Sequence, residues 1–383
     1  MPRAVVVGAG VFGASLAHRL AIRGWTVTLV EQYAPGHVRA ASGGESRLLR
    51  CSHGPDRWYT RSAWRARSLW QELEEEAGER LFVPSGVVWF ARRADGWEAD
   101  SEAVLAEERV PFERIAPDDV GQLFPSFDPD GIAFALHEPA AGVLRARDAV
   151  RALVRLAGER GVRIVPGAAR PAGAAASVDG EALTADRVVW ACGAWLPRLF
   201  PDLVRIRVTR QDVYFFGAPA SWETPPVPGW VDYDGAVYGL GDLDGRGVKV
   251  APDLEGPELD PDADPRRASE EGEERARRYM RRRFPALAAA PLVGTRSCPY
   301  ALTEDTNFLV SPHPEHDGVW LLGGGSGHGF KHGPALAEYV SGLLEGEASP
   351  DPRFGLAPRT PAHSLRTAGT EGETVPRRRS RET

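Results

Sequence analysis

Glycines 8, 10 and 13 constrain this chain more than any other feature of its sequence. They follow a short apolar run, 4–7, and precede a stretch in which Phe12, Leu16 and Leu20 recur at helical spacing. The run Gly8-Ala9-Gly10-Val11-Phe12-Gly13 therefore stands between a predicted strand and a predicted helix over 11–23, which Gly24 ends. A second strand, 25–30, stops at Glu31. This order opens a strand–helix–strand unit of an α/β sheet. In that setting the first glycine permits a tight turn and the second lets backbone amides approach a pyrophosphate. The third lets helix and strand pack closely. The positive end of the helix then faces the phosphates. Glu31, roughly 20 residues on, is placed to accept from a ribose hydroxyl, and its charge disfavours a 2′-phosphate. The motif alone leaves FAD, NAD and an empty glycine turn all open.

The rest of the chain fits a second, mixed β-sheet domain threaded through the first. Apolar periodicity predicts helices over 57–76, 146–161, 268–284 and 334–344. Strands are expected over 87–91, 132–137, 162–165, 186–191, 214–216, 237–240, 248–250, 309–310 and 319–322, with a glycine-rich loop from Gly323 to Gly333. The expected fold class is α/β, a Rossmann-type dinucleotide domain plus a sheet-and-helix substrate domain. The first domain would draw on 1–80, 143–205 and 291–350, and the second on 81–142 and 206–290. Residues 352–383, rich in Pro, Thr, Ser, Gly and Arg, read as a disordered tail in which Arg377 to Arg379 are solvated.

Composition narrows the functional classes. A chain of 383 residues suits two intertwined domains, and a net charge of −7 argues against a nucleic-acid footprint. Three cysteines make no disulfide framework, which fits a reducing, cytoplasmic setting. No targeting segment is expected, and no run nears the roughly 20 apolar residues of a membrane span. Of 46 Lys plus Arg, only Lys249 and Lys331 are lysine. In a chain that otherwise prefers arginine, these mark places where a compact ammonium of tunable pKa is wanted, or survive by chance.

Two features favour FAD over NAD. The glycine motif lies at the very N-terminus, and the strand 186–191 leads into Cys192-Gly193-Ala194-Trp195, which resembles the second flavin-contacting segment of many FAD proteins. Four further motifs occur in order: Ser42-Gly-Gly-Glu-Ser-Arg47-Leu-Leu-Arg50, Gly247-Val-Lys249, Ser297-Cys298-Pro-Tyr300, and Ser326-Gly327-His328-Gly329-Phe330-Lys331. With the N-terminal fingerprint they resemble the monomeric sarcosine oxidase and N-methyltryptophan oxidase group of D-amino-acid-oxidase-like flavoproteins, over about 4–344. The resemblance implies FAD joined through a thioether to Cys298, with Cys51 and Cys192 as plain buried cysteines. It implies that Lys249 promotes reaction with molecular oxygen, and that Arg50 and Lys331 clamp a substrate carboxylate. Arg47 would lie near the flavin face, and Tyr238 and Tyr300 would wall the pocket. Gly8, Gly10, Gly13, Glu31, Ser42, Gly193, Trp195, Gly327, Gly329 and Phe330 would complete the cofactor site. His328 would be a loop hydrogen-bonder. No metal is implied, and the protein would act as a monomer.

The chain departs from the family pattern at two histidines. One falls at Gly43, where its loss would enlarge or rehydrate the space beside the flavin. The other falls at Asp253, whose carboxylate would favour a cationic or hydrogen-bonding substrate tail. The expected reaction is oxidation of a small secondary amine or N-alkyl amino acid to an imine with hydrogen peroxide. The rivals are a dehydrogenase of the same fold with another electron acceptor, a flavin-binding scaffold without catalysis, and an NAD-dependent dehydrogenase.

Overall fold

The computed structural model describes residues 1–361. A six-stranded sheet runs in the order Leu309–Pro312, Val319–Gly323, Arg187–Trp190, Arg3–Val7, Thr26–Glu31, Arg163–Pro166. Its pairs are parallel except the first, which is antiparallel. Alternation along the first strand divides its two faces. Ala4 and Val6 join the core beneath the helices Val11–Ile22, Ala146–Glu159 and Gly333–Glu345, whereas Val5 and Val7 pack with Val188, Trp190 and Phe200 on the other side. The helix Val11–Ile22 crosses from the first strand to the second, as the glycine motif requires.

An eight-stranded sheet is ordered Leu292–Leu302, Arg207–Phe216, Val248–Pro252, Val237–Leu240, Gly229–Asp232, Val87–Ala91, Phe134–Glu138, Glu113–Ile115. Every pair is antiparallel except Gly229–Asp232 with Val87–Ala91. The helix Glu270–Arg283, capped by the Ser269 side chain, lays Ala276 and Met280 against Tyr214, Phe216, Val248 and Val250 on one face. A three-stranded sheet of Ser46–Leu49, Gly142–Arg145 and Phe82–Val83 carries the segment that leads to Arg50.

Three expectations need correction. The strand Leu292–Leu302 pairs with Arg207–Phe216 along its whole length, so a boundary at 291 cannot assign it to the dinucleotide part. The helix Trp97–Glu107 was not expected; its buried positions are few and its apolar residues follow no clear helical stripe. The tail does not loosen at 352. Pro352–Phe354 forms a 3-10 turn, Phe354 is buried against Trp58, and Arg359 donates to the Asp305 carboxylate and to the Phe308 and Gly355 carbonyls. One buried aromatic and one anchored guanidinium are enough to hold this stretch. Residues 362–383, including Arg377 to Arg379, lie outside the described part.

Candidate functional site

The long cleft of the molecule begins at the glycine motif. Gly8 takes a φ of 100°, and a Cβ there would stand 2.6 Å from the Ala191 carbonyl oxygen. At Gly13 a Cβ would stand 1.9 Å from the Gly8 carbonyl oxygen, closer than atoms approach, so helix and strand contact demands glycine. Ser42 closes the turn by accepting from the Val11 amide at 2.9 Å. Glu31 accepts from the Ala9 amide at 2.7 Å and the Tyr33 amide at 2.9 Å, which holds its carboxylate at the strand end. Backbone amides, a helix N-terminus and this carboxylate fit an adenosine diphosphate moiety.

From there the cleft is walled by Gly193, Trp195, Arg47, Tyr300, Gly327, Gly329 and Phe330. Gly329 has no room for a side chain, since a Cβ would meet Gly325 Cα and the Phe12 ring at 2.8 Å. Arg47 is tied down by the carbonyls of Ser46, Ala41 and Gly43 and faces the Phe330 ring at 5.7 Å. Cys298 is not part of this wall, but its neighbours Pro299, Tyr300 and Ala301 are.

Strand register assembles the next layer. Lys249 lies opposite Phe215 and Leu240, Tyr238 opposite Ala251, Cys298 opposite Gln211 and Tyr300 opposite Thr209. Because alternate residues share a face, Tyr238, Lys249, Cys298 and Tyr300 all lie on the face away from the helix Glu270–Arg283. Lys249 is 3% exposed, and its Nζ donates to the Ser46 carbonyl at 3.2 Å and to Ser46 Oγ at 3.4 Å. The Tyr238 ring centre is 5.3 Å from that nitrogen. Burial first, then the Arg47 charge, brings the Lys249 pKa down to about 7. Burial and the nearby Asp253 carboxylate push Tyr238 up to about 12, so it stays a neutral phenol, hydrogen-bonded to Tyr300. Asp253 is itself buried.

A second group of cations comprises Lys331 and Arg50. Lys331 is 2% exposed and donates to the His328 carbonyl at 2.9 Å. Its own carbonyl accepts from Trp70 Nε1 at 2.7 Å, and Trp70 stacks on Phe330, so the helix Arg57–Ala77 fixes this turn. Arg50 lies over the Trp89 ring at 4.7 Å and donates to the Ser52 carbonyl. Both charges act on Cys51, His53 and His332, which brings them to one place. Buried Glu138 accepts from the Cys51 and Ser52 amides, the Ser52 hydroxyl and Trp89 Nε1. It thereby sets the backbone that follows Arg50. Nothing in the local sequence marks Glu138, Trp89 or Ser46 for these tasks, since their partners are 49 to 203 residues away.

At Gly43 the expected enlarged space is absent. The glycine is buried and a Cβ there would stand 2.4 Å from the His37 carbonyl oxygen, so backbone has closed on the missing side chain.

The family model described as FAD dependent oxidoreductase matches residues 3–343. The chain belongs to that family. The glycines, Glu31 and Ser42 of the cleft described above suit FAD. Monomeric sarcosine oxidase from Streptomyces avermitilis is 31% identical over 355 residues, covering 88% of this chain and 92% of that protein. N-methyl-L-tryptophan oxidase from Yersinia pestis is 24% identical over 358 residues, covering 90% and 95%. In three dimensions, L-proline dehydrogenase from P. horikoshii superposes with a TM-score of 0.80 at 21% identity, over 92% of this chain and 96% of that one. No helix among the described residues is long and apolar enough to cross a membrane.

Proposed function

We propose that this FAD dependent oxidoreductase oxidises a secondary amine or N-alkyl amino acid to an imine, with molecular oxygen as acceptor. Its action as a monomer in the cytoplasm belongs to the same proposal. The observation that carries it is Lys249, a buried lysine with a pKa near 7, on one sheet face with Tyr238, Cys298 and Tyr300. Bound FAD supplies the two-electron oxidant. The carbon–nitrogen bond of the amine loses two electrons and two protons. The imine is then hydrolysed by water, and oxygen receives the electrons and protons as hydrogen peroxide.

The chain's own groups divide the remaining work. Arg50 and Lys331 hold the substrate carboxylate by charge-assisted hydrogen bonds and so orient the amine. Tyr238 and Tyr300 shape the pocket and keep water out. Lys249 holds a proton at Nζ in a dry site, where a fixed cation stabilises negative charge developing on oxygen. The similarity to named amine oxidases supports the reading. Covalent attachment through Cys298 is part of the proposal. Cys298 shares its sheet face with Lys249 and Tyr300, and its neighbours Pro299 and Tyr300 line the cleft. Asp253, buried beside Tyr238, favours a substrate larger or more polar than sarcosine, with a cationic or hydrogen-bonding tail.

The test is a panel of N-alkyl and cyclic amino acids given to the purified holoenzyme, with bleaching followed under nitrogen and peroxide under air. Stoichiometric peroxide is expected. Bleaching without peroxide would point to a dehydrogenase, and no bleaching by any amine would end the catalytic reading. If sarcosine is oxidised at least as fast as every other member, the proposed role of Asp253 fails.

A further inference from the structure

Three histidines that the amine chemistry does not use stand together. His53 follows the strand Ser46–Leu49, His328 lies in the glycine-rich loop, and His332 leads into the helix Gly333–Glu345. One nitrogen from each ring lies within 4.8 Å of the other two. We infer that His53, His328 and His332 form a binding site for a borderline divalent transition metal such as zinc, beside Arg50 and Lys331.

Three observations support a built site rather than casual packing. First, the outer nitrogens are anchored. His53 Nδ1 donates to the Cys51 carbonyl and His328 Nε2 donates to the Thr306 carbonyl, both at 2.9 Å. His332 Nδ1 shares a hydrogen bond with Ser62 Oγ at 2.9 Å. Oxygen partners of this kind are how proteins orient metal-binding imidazoles. Second, a carbonyl only accepts, so it fixes the proton on the anchored nitrogen. In a neutral ring that leaves the lone pair on the opposite nitrogen. Third, the inner Nε2 atoms of His53 and His332 are buried without a hydrogen-bond partner, and His332 is wholly buried. Buried nitrogens of this sort carry a cost unless something satisfies them.

The nearby cations decide which ion fits. No carboxylate belongs to the cluster, so calcium and magnesium, which need oxygen ligands, are excluded. Zinc, cobalt, nickel and copper bind neutral imidazole. The positive surroundings call for an anion as fourth ligand: hydroxide, chloride or the carboxylate of a bound amino acid. Around a four-coordinate zinc ion the three nitrogens would close to roughly 3.4 Å of one another.

The experiment is a zinc titration of chelator-treated holoenzyme by calorimetry, with cobalt difference spectra to report coordination geometry. Both readouts are independent of turnover, so failure here leaves the oxidase reading intact. One equivalent is expected to bind, with the intense visible bands of four-coordinate cobalt. His53→Phe and His332→Phe should each weaken binding at least ~100-fold, and Ser62→Ala about tenfold. His313→Phe removes one ring of the stacked surface pair His313 and His316 and should change nothing. Folding of each variant is checked by flavin absorbance and circular dichroism. If His332→Phe does not fold, His53→Phe and Ser62→Ala decide the matter. The inference is overturned if no equimolar uptake occurs, or if uptake survives His53→Phe or disappears in His313→Phe.

Discussion

The nucleotide end of the cleft and the sheet face behind Tyr300 are built by opposite means. At the nucleotide end, three glycines within six residues create the shape, and side chains are mostly excluded. In the sheet, Tyr238, Lys249, Cys298 and Tyr300 come from three strands and meet only because the pairing register puts them on one face. The first region is sensitive to added atoms. The second is sensitive to lost functional groups. Substitutions in the two should therefore fail differently, one by losing the cofactor and the other by losing a step while the fold persists.

The largest effect is expected at the first region. Gly13→Val forces a side chain into the Gly8 carbonyl, and the purified protein should lose most of its flavin absorbance and much of its soluble yield. A Gly13→Val protein that retains full flavin content would break the comparison.

On the sheet side, Lys249→Met should keep flavin content and slow the reaction of the reduced enzyme with oxygen by ~10²–10³-fold. Reduction by amine should change far less. The pH profile carries a second check. Lysine is cationic below its pKa, so the oxygen step should slow as pH rises past about 7 in the wild type. The profile of Lys249→Met should be flat in the same window, as stopped-flow measurements would show.

Next in size, Lys331→Met or Arg50→Met should lower kcat/KM for carboxylate-bearing amines by about 100-fold, equivalent to about 2.7 kcal/mol. An amine without a carboxylate should be much less affected. Equal losses for both substrate types would assign these cations to the fold instead.

A smaller effect concerns stability. Burial pushes the carboxyl of Glu98 up to about 8. The folded state therefore keeps a proton that the unfolded chain releases, so the contribution is whole below the ordinary carboxylate range. It is lost progressively as pH rises from that range through about 8. Glu98→Gln cannot ionise, so thermal melts should show a smaller fall in stability across that range than in the wild type.

The smallest effect on turnover belongs to Cys298→Ser. Acid precipitation should change the pellet from yellow to colourless and leave yellow in the supernatant. A colourless pellet from the wild type would remove covalent attachment from the proposed function.

The same contrast explains what could be read from the sequence. The glycine motif, Glu31 and the helix that follows are local, and each neighbour reinforces the others. The pair of lysines stood out because arginine dominates elsewhere. Membership of the amine oxidase group was legible through short motifs around Arg47, Lys249, Cys298 and Lys331. Long-range partners were not. Ser46 under Lys249 and Glu138 under Cys51 are ordinary residues made special by elements far along the chain. Spacing also could not reveal that the chain closes over Gly43, because the His37 carbonyl fills the room that a lost side chain would leave. Residues 352–361 looked unstructured by composition, yet Phe354 is buried in one hydrophobic core, Leu356 packs against another and Arg359 is anchored.

The scarcity and burial of lysine have a practical consequence for chemical labelling. Lys249 and Lys331 are the only side-chain amines in the chain, and both are nearly sealed from solvent. An acylating reagent applied to the native protein should therefore leave both lysines largely unmodified. Any acylation of Lys249 or Lys331 would report reagent reaching groups that the folded protein covers.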